Sequence, residues 1–389
     1  MADKDKSNGS PFDQADSYVR FLLSRKNRIF YLKPWNGNSG DMLIWLGTER
    51  LLKDLGIART MDPRAADVIL IPGGNQTMWQ ANIDVWKETW TRWPDKEFIV
   101  GPTTVQLGFT TWRQDIEATT ANVSGIFARD PDSYRTLLRC RLSDRIETGL
   151  SHDPALHLWD SDLIRAHRRA ATEEFVLAAF RFDHEGAMNW MARASRWDKL
   201  LPPVVTRRIR GRGARNHHQE RINMVTRYTR RTEPLRICDA SQEIFECFLE
   251  NIRSASEVHT DRLHCMLLAA MLDKPTFAYP TAYGKLEAVY EHSVKGKANV
   301  EFVEGTRFSS IVDVKRPSAA PRQVLQPQNP PPATGRLGDW LVSALRLQCR
   351  RRRRRAVRPM SPCTRRRSGR MDLSPEIRQK LLAFQRVEI

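Results

Sequence analysis

The chain of 389 residues has 41% hydrophobic and 8% aromatic side chains and a formal net charge of +18, enough length and apolar content for two soluble domains with separate cores. No apolar run approaches the roughly 20 residues that span a bilayer, the polar segment Met1 to Asp13 lacks the apolar stretch of a secretory signal, and the six cysteines include no C-x-x-C pair, which argues against a zinc site or a disulfide framework and fits a reducing cytoplasm. Residues 318–389 hold 17 Lys and Arg against four Asp and Glu, so 13 of the 18 net charges lie there, and the mildly basic remainder does not suit a specific nucleic-acid binder.

In chain order, residues 1–25 are expected to form a flexible N-terminus and residues 26–170 a first Rossmann-like domain. Arg28 to Leu32 reads as a short strand, followed by a Gly/Asn loop and an amphipathic helix from about Met42 to Leu55. Val68 to Ile71 is a buried strand ending at Pro72-Gly73-Gly74-Asn75, and a Trp-rich helix follows around Asp84 to Trp93. Phe98 to Val100 is the next strand. Short apolar strands that end in Gly-rich loops and lead into helices mark a parallel, doubly wound α/β sheet, whose ligands sit beyond the carboxyl ends of the strands.

A second Rossmann-like domain is expected over residues 171–316. It opens with the strand Phe175 to Phe180, breaks into a basic stretch between Pro202 and Arg231, and resumes with Leu235 to Cys238 and a helix from about Gln242 to Ala255. Glu257 to His259 reads as a strand, Asp261 to Leu272 as a helix and Thr276 to Tyr279 as a strand. Residues 317–389 turn Pro-rich and then Arg-rich, with six consecutive arginines from Arg350 to Arg355. Such a run repels itself, and this tail is expected to be mostly disordered.

Several residue sets could carry chemistry. In Asn36-Gly37-Asn38-Ser39-Gly40-Asp41 the glycines let the backbone approach a ligand at a helix start, where N–H groups favour an anion, while Asp41 could equally cap the helix. No Gly-Lys-Ser/Thr follows, so this is not a Walker A loop. Gly73 and Gly74 permit close approach at a strand end. Arg129 follows a short apolar run and could grip a carboxylate or phosphate bidentately, or pair with Asp130 or Asp132 at the surface. In Thr260-Asp261-Arg262-Leu263-His264, Thr260 or Asp261 can cap a helix whose buried face is Leu263, Leu267, Leu268, Met271 and Leu272. Arg262 and His264 then flank its N-terminus, the first as a fixed charge and the second as a proton donor that titrates near neutral pH. Lys285 could add a second cation from the next strand end.

Taken in order, these segments resemble the polysaccharide pyruvyl transferase family, especially its bacterial exopolysaccharide members. The matching signatures are Asn38, Gly40 and Asp41; Pro72-Gly73-Gly74; Ala128, Arg129, Ser133 and Tyr134; Asp153-Pro154-Ala155; Arg181, Asp183 and Glu185; Thr260 to His264; Lys274-Pro275; and Tyr283-Gly284-Lys285. The resemblance covers roughly residues 28–315. It implies a glycosyltransferase-B-like pair of Rossmann-like domains around a cleft, with phosphoenolpyruvate as donor substrate, no further cofactor and no metal. A pyruvate ketal would pass to two hydroxyls of a sugar or lipid-linked oligosaccharide, with release of phosphate. His264 and Asp41 are then the expected catalytic pair. Arg262, Arg129, Lys285, Asn38, Gly40, Gly73 and Gly74 are expected to bind substrate. Such an enzyme is expected in the cytoplasm, where the basic tail could touch the anionic inner face of the membrane. The basic insert around residues 207–215 and the tail have no counterpart in the family. Two rival readings are a glycosyltransferase of the same fold using a nucleotide sugar, and a polyanion-binding protein acting through Arg350 to Arg355.

Overall fold

The computed structural model describes residues 16–34, 37–107, 110–118, 122–169, 175–181, 234–239, 243–281 and 284–303, together with Gln219, Ile222, Asn223, Val225 and Thr226. The basic stretch around 207–215, Asp183, Glu185, Tyr283 and the tail after 316 lie outside the described residues.

Two parallel sheets organise the chain. The first contains β1 (Phe30–Leu32), β2 (Arg59–Thr60), β3 (Val68–Ile71), β4 (Glu97–Thr103), β5 (Asn122–Ala128) and β6 (Glu147–Leu150), in the order β2-β1-β3-β4-β5-β6. The second contains β7 (Phe175–Ala179), β8 (Leu235–Ile237), β9 (Ala255–Thr260), β10 (Thr276–Ala278) and β11 (Val300–Phe302), in the order β11-β10-β9-β7-β8. Every strand pairing is parallel. All four residues of β3 and all five of β7 are buried, the unbroken apolar run that a strand covered by helices on both faces requires.

Counted within its own half, each sheet begins in the order 2-1-3-4-5. The chain leaves the first strand for one neighbour, then returns to the other side. That reversal opens a crevice beyond the carboxyl ends of β1 and β3 in the first half, and of β7 and β9 in the second. The two Rossmann-like α/β sheets expected from the sequence are therefore present.

The helices are α1 (Ser17–Leu23), α2 (Ser39–Asp54), α3 (Gln80–Arg92), α4 (Trp112–Ala118), α5 (Pro131–Cys140), α6 (Asp162–Arg169), α7 (Phe245–Arg253), α8 (Leu263–Met271) and α9 (Lys285–Val289). Helix α2 packs so closely on the short 3-10 helix Pro154–Leu158 that a Cβ at Gly47 would lie 1.9 Å from the Pro154 carbonyl oxygen. One apolar core runs from α1 and α2 through Leu156 and Leu158 into α7 and α8, and so joins the two halves.

Three expectations are corrected. Residues 1–25 are not flexible throughout: Asp16 caps α1 through the Tyr18 and Val19 N–H groups, and Tyr18, Val19, Phe21 and Leu22 are buried. Strand β4 continues to Thr103 instead of ending at Val100. Pro102 has no N–H to donate, but its carbonyl accepts the Gly74 N–H at 3.1 Å and Thr104 N–H donates to the Gly74 carbonyl at 2.8 Å. Helix α8 begins at Leu263 and not at Asp261, because neither Thr260 nor Asp261 caps it; Arg262 occupies the cap position.

Candidate active site

A cavity of about 380 Å³ lies at the two crevices, lined by the connections that leave β1, β3, β5, β7, β9 and β10. Each connection can be built from its own chemistry.

After β1, Asn38 starts α2 with a reciprocal cap. Its Oδ1 accepts the Gly40 and Asp41 N–H groups at 2.8 and 3.4 Å, and its own N–H donates to Asp41 Oδ2 at 2.8 Å. Asp41 therefore closes the capping box and is also a cavity residue, with Oδ1 left over. Gly40 has a spatial reason to be glycine: a Cβ there would lie 2.4 Å from His264 Nδ1.

After β3, Gly73 (φ +112°) and Gly74 (φ +97°) adopt conformations that side chains rarely tolerate. A Cβ at Gly73 would lie 2.1 Å from the Pro102 carbonyl oxygen. Neither glycine lines the cavity; both steer the chain so that Asn75, Gln76, Trp79 and Asn82 do. Of the residues expected to bind substrate, these two shape the site from behind.

Arg129, at the end of β5, is 1% exposed and pairs with neither Asp130 nor Asp132. Its Nη1 donates to Asp153 Oδ2 at 2.7 Å, its Nη2 to Asn75 Oδ1 at 2.7 Å, and Nε and Nη2 both reach Thr104 Oγ1. Asp130 instead caps α5 through the Ser133 N–H. Asp153 is fully buried, and burial alone would raise its pKa. The neighbouring His264, Arg129 and the Ala155 N–H outweigh that and hold the carboxyl well below the usual carboxylate range.

The expected pentad is split by the fold. Thr260 Oγ1 donates to the Ala179 carbonyl and accepts the Arg262 N–H, while Asp261 Oδ1 accepts the Arg181 N–H at 2.8 Å. Both therefore tie β9 to β7. Arg262, 6% exposed, pairs through Nη2 with Asp239 Oδ1 at 2.5 Å, and its buried Nε has no hydrogen-bond partner among the described residues. His264 Nε2 is likewise buried without a hydrogen bond, 3.5 Å from Asp153 Oδ2. Lys285, 5% exposed, begins α9 and completes the cationic wall with Arg181.

The structure thus brings Asn38, Gly40, Asp41, Arg129, Arg262, His264 and Lys285 to one cavity. Sequence reasoning assigned no role to Asp153, Asn75, Trp79, Asn82 or Arg181. Asp153 and Arg181 lay in quoted signatures, but their partners, at positions 129, 264 and 261, are remote in sequence. Among the described residues no group of three or more His, Cys, Asp or Glu side chains is gathered as metal ligands, and no helix is long and apolar enough to cross a membrane.

A family model described as polysaccharide pyruvyl transferase matches residues 38–283. No curated protein matches the chain in sequence. Among solved structures, the chain is similar to an uncharacterised protein from Klebsiella pneumoniae subsp. pneumoniae, at 18% identity over 75% of this chain and 100% of that one, with a TM-score of 0.48. It is also similar to a UDP-GlcNAc 2-epimerase from Neisseria meningitidis, at 12% identity over 73% of this chain and 89% of that one, with a TM-score of 0.34. A glycosyltransferase from Rickettsia africae aligns at 9% identity over 73% of this chain and 86% of that one, with a TM-score of 0.35.

Proposed function

We propose, on the premise that the chain belongs to the polysaccharide pyruvyl transferase family and is a transferase, that it moves pyruvate from phosphoenolpyruvate onto two hydroxyls of a sugar in exopolysaccharide biosynthesis. The observation that carries this reading is a buried donor, Arg262 Nε, that lines the cavity without a hydrogen-bond partner among the described residues, beside His264, whose Nε2 faces the Asp153 carboxylate at 3.5 Å. An unmet buried donor costs about 1–3 kcal/mol, and a dianionic donor substrate would meet it. Arg262 and Lys285 supply fixed charge for its phosphate and carboxylate. Arg129, tied to Asp153, Asn75 and Thr104, holds the floor of the cavity in place.

The reaction balances in this site. The enol methylene gains one proton and becomes a methyl group, C2 takes two sugar oxygens, and the bond from C2 to the phosphate oxygen breaks. Of the two hydroxyl protons released, one in net terms reaches the methyl group and the other leaves with inorganic phosphate. His264 is the proposed acid, towards the methylene or the departing phosphate. Asp41 is the proposed base, since one of its carboxylate oxygens is free of the cap. Asp153 acts behind His264 as a positioning residue. The acceptor we propose is lipid-linked, and the excess of 13 positive charges in residues 318–389 supports contact with an anionic membrane surface.

The test is incubation with phosphoenolpyruvate and lipid-linked oligosaccharides. A mass gain of one pyruvate ketal per acceptor with equimolar phosphate is expected. Thermal stabilisation by UDP-sugars and not by phosphoenolpyruvate would overturn the reading. His264→Ala and Arg262→Ala are each expected to lower kcat/KM at least a hundredfold, and near-normal values in both would remove them from the mechanism.

A further inference from the structure

The cavity is divided by charge. The second half of the chain lines it with three cations, Arg181, Arg262 and Lys285, and with His264. From the first half, Arg129 is the one cation among the described lining residues, and Asp153 answers its charge at 2.7 Å, as Asp239 answers that of Arg262 at 2.5 Å. The rest of that side is Asn38, Asp41, Asn75, Gln76, Asn82 and one aromatic ring, Trp79. An anionic substrate belongs against the second half. The first-half wall suits a neutral polyhydroxylated molecule.

Trp79 is out of character for its neighbourhood. Trp86, Trp90 and Trp112 on the adjoining helices are buried, whereas Trp79 is 45% exposed and is the only aromatic among the exposed large hydrophobic side chains described. Its position is not loose. The 3-10 turn Gln76–Met78 just before it is pinned by Thr77 Oγ1 to the Thr104 carbonyl at 2.9 Å, and by Gln76, which donates to the Gly73 carbonyl and accepts from Trp86 Nε1. The Trp79 carbonyl then accepts the Asn82 N–H at the start of α3. A half-open indole carried on a pinned backbone turn at a binding cavity is a surface for the C–H face of a ring, since flat aromatic faces carry partial negative charge and large contact area.

Polar capacity lies beside it. Asn82 Nδ2 is committed to the Asn75 carbonyl at 3.2 Å, while Asn82 Oδ1 and Asp41 Oδ1 accept no hydrogen bond from the described residues. Both residues line the cavity with the indole, and each offers an acceptor oxygen to a sugar hydroxyl.

We propose that Trp79 is the stacking platform of the acceptor subsite. It takes one neutral pyranose by its C–H face, with Asn82 and Asp41 receiving the hydroxyls. This rests on the transferase reading above, and it adds where the acceptor lies and what class of sugar is admitted: a pyranose with an uncharged, unsubstituted C–H face.

The experiment uses the full-length chain, as wild type, Trp79→Ala and Trp79→Phe, with two readouts. Saturation-transfer NMR with methyl β-galactoside, methyl β-glucoside and oligosaccharides released from the lipid-linked pool, in the presence of phosphoenolpyruvate, reads sugar contact. Thermal shift by phosphoenolpyruvate alone reads the donor side and folding. Saturation of one C–H face is expected in wild type and Trp79→Phe and is lost in Trp79→Ala. The phosphoenolpyruvate shift stays within a degree across all three, and the acceptor KM rises at least tenfold in Trp79→Ala with the donor KM unchanged. Unaltered sugar saturation in Trp79→Ala, or none in wild type, overturns the proposal. Sugar saturation that depends on Trp79 without any phosphoenolpyruvate shift in wild type supports the platform and overturns the donor reading instead.

Discussion

Asp153 and Arg129 show how a single residue pair can set the geometry of a whole site. Both are almost wholly buried, and each answers the charge that burial would otherwise make costly. Asp153 also stands 3.5 Å from His264 Nε2, so one carboxylate orients both an arginine and an imidazole. Because its folded-state pKa lies below the ordinary carboxylate value, its contribution is fully present above about pH 4 and is lost only as pH falls below that. Replacing Asp153 by Asn leaves the Arg129 charge buried without a counter-charge. The expected loss is about 3–5 kcal/mol of stability at pH 7, read from urea unfolding. A variant as stable as wild type would mean that water or another group already neutralises Arg129.

At the scale of the element, α2 carries two glycines that act in different ways. Gly47 lets the helix press against backbone, with a would-be Cβ 1.9 Å from the Pro154 carbonyl oxygen, and backbone cannot turn aside. Gly40 faces the His264 ring, with a would-be Cβ 2.4 Å from Nδ1, and a side chain can turn aside at the expense of its position. Gly47→Ala is therefore expected to destabilise the protein by about 1–3 kcal/mol through overpacking. Gly40→Ala should cost less stability yet lower kcat/KM at least tenfold, because the proposed acid is displaced. Chemical unfolding and steady-state kinetics on the two variants separate these outcomes, and equal effects on stability and rate in both would contradict the distinction.

Across the whole molecule, the halves meet at a second contact besides the apolar core. His152, in the loop after β6, stacks on His292 of the π-helical turn Tyr290–Val294, with ring centroids 4.6 Å apart. His152 Nδ1 contacts Ser293 Oγ at 2.8 Å, and His292 Nε2 lies 3.1 Å from the Ser151 carbonyl. Burial, reinforced by His292, Lys297 and His157, pushes the His152 ring down to about 3. Burial also lowers His292, opposed by the Ser151 carbonyl, Asp16 and Asp130 and assisted by Lys297. Both rings are thus neutral in the folded protein at pH values where the unfolded chain would protonate them. The sign follows: stability is full above about pH 6.5 and falls as pH drops towards 3, by about 2 kcal/mol at pH 5 for His152 alone. The loss of Tm between pH 7.5 and pH 5 is expected to be visibly smaller in His292→Gln than in wild type. An identical acid sensitivity would place its origin elsewhere.

Much of this was legible along the chain. The apolar runs at 68–71 and 175–179, the glycines at 73 and 74 and the capping pattern at 38–41 depend on neighbours within a few residues, so the parallel α/β class and the individual turns could be read directly. Helix α1 carried the same kind of signal, Asp16 followed by Tyr18, Val19, Phe21 and Leu22, and was hidden only by the polar residues before it. Arg262, His264, Asp41 and Lys285 were recognisable as a set through their order, a matter of family pattern more than of local chemistry.

What the tertiary structure alone decided are relations between distant positions. It placed Arg129 against Asp153 instead of Asp130, turned Asp261 from the helix cap to the Arg181 N–H, and left Trp79 open on the cavity wall while Trp86, Trp90 and Trp112 were buried. The physical reason is the strand order. In a sheet wound 2-1-3-4-5, carboxyl ends that lie tens of residues apart in sequence become neighbours at the reversal, and no spacing along the chain encodes which of them will meet.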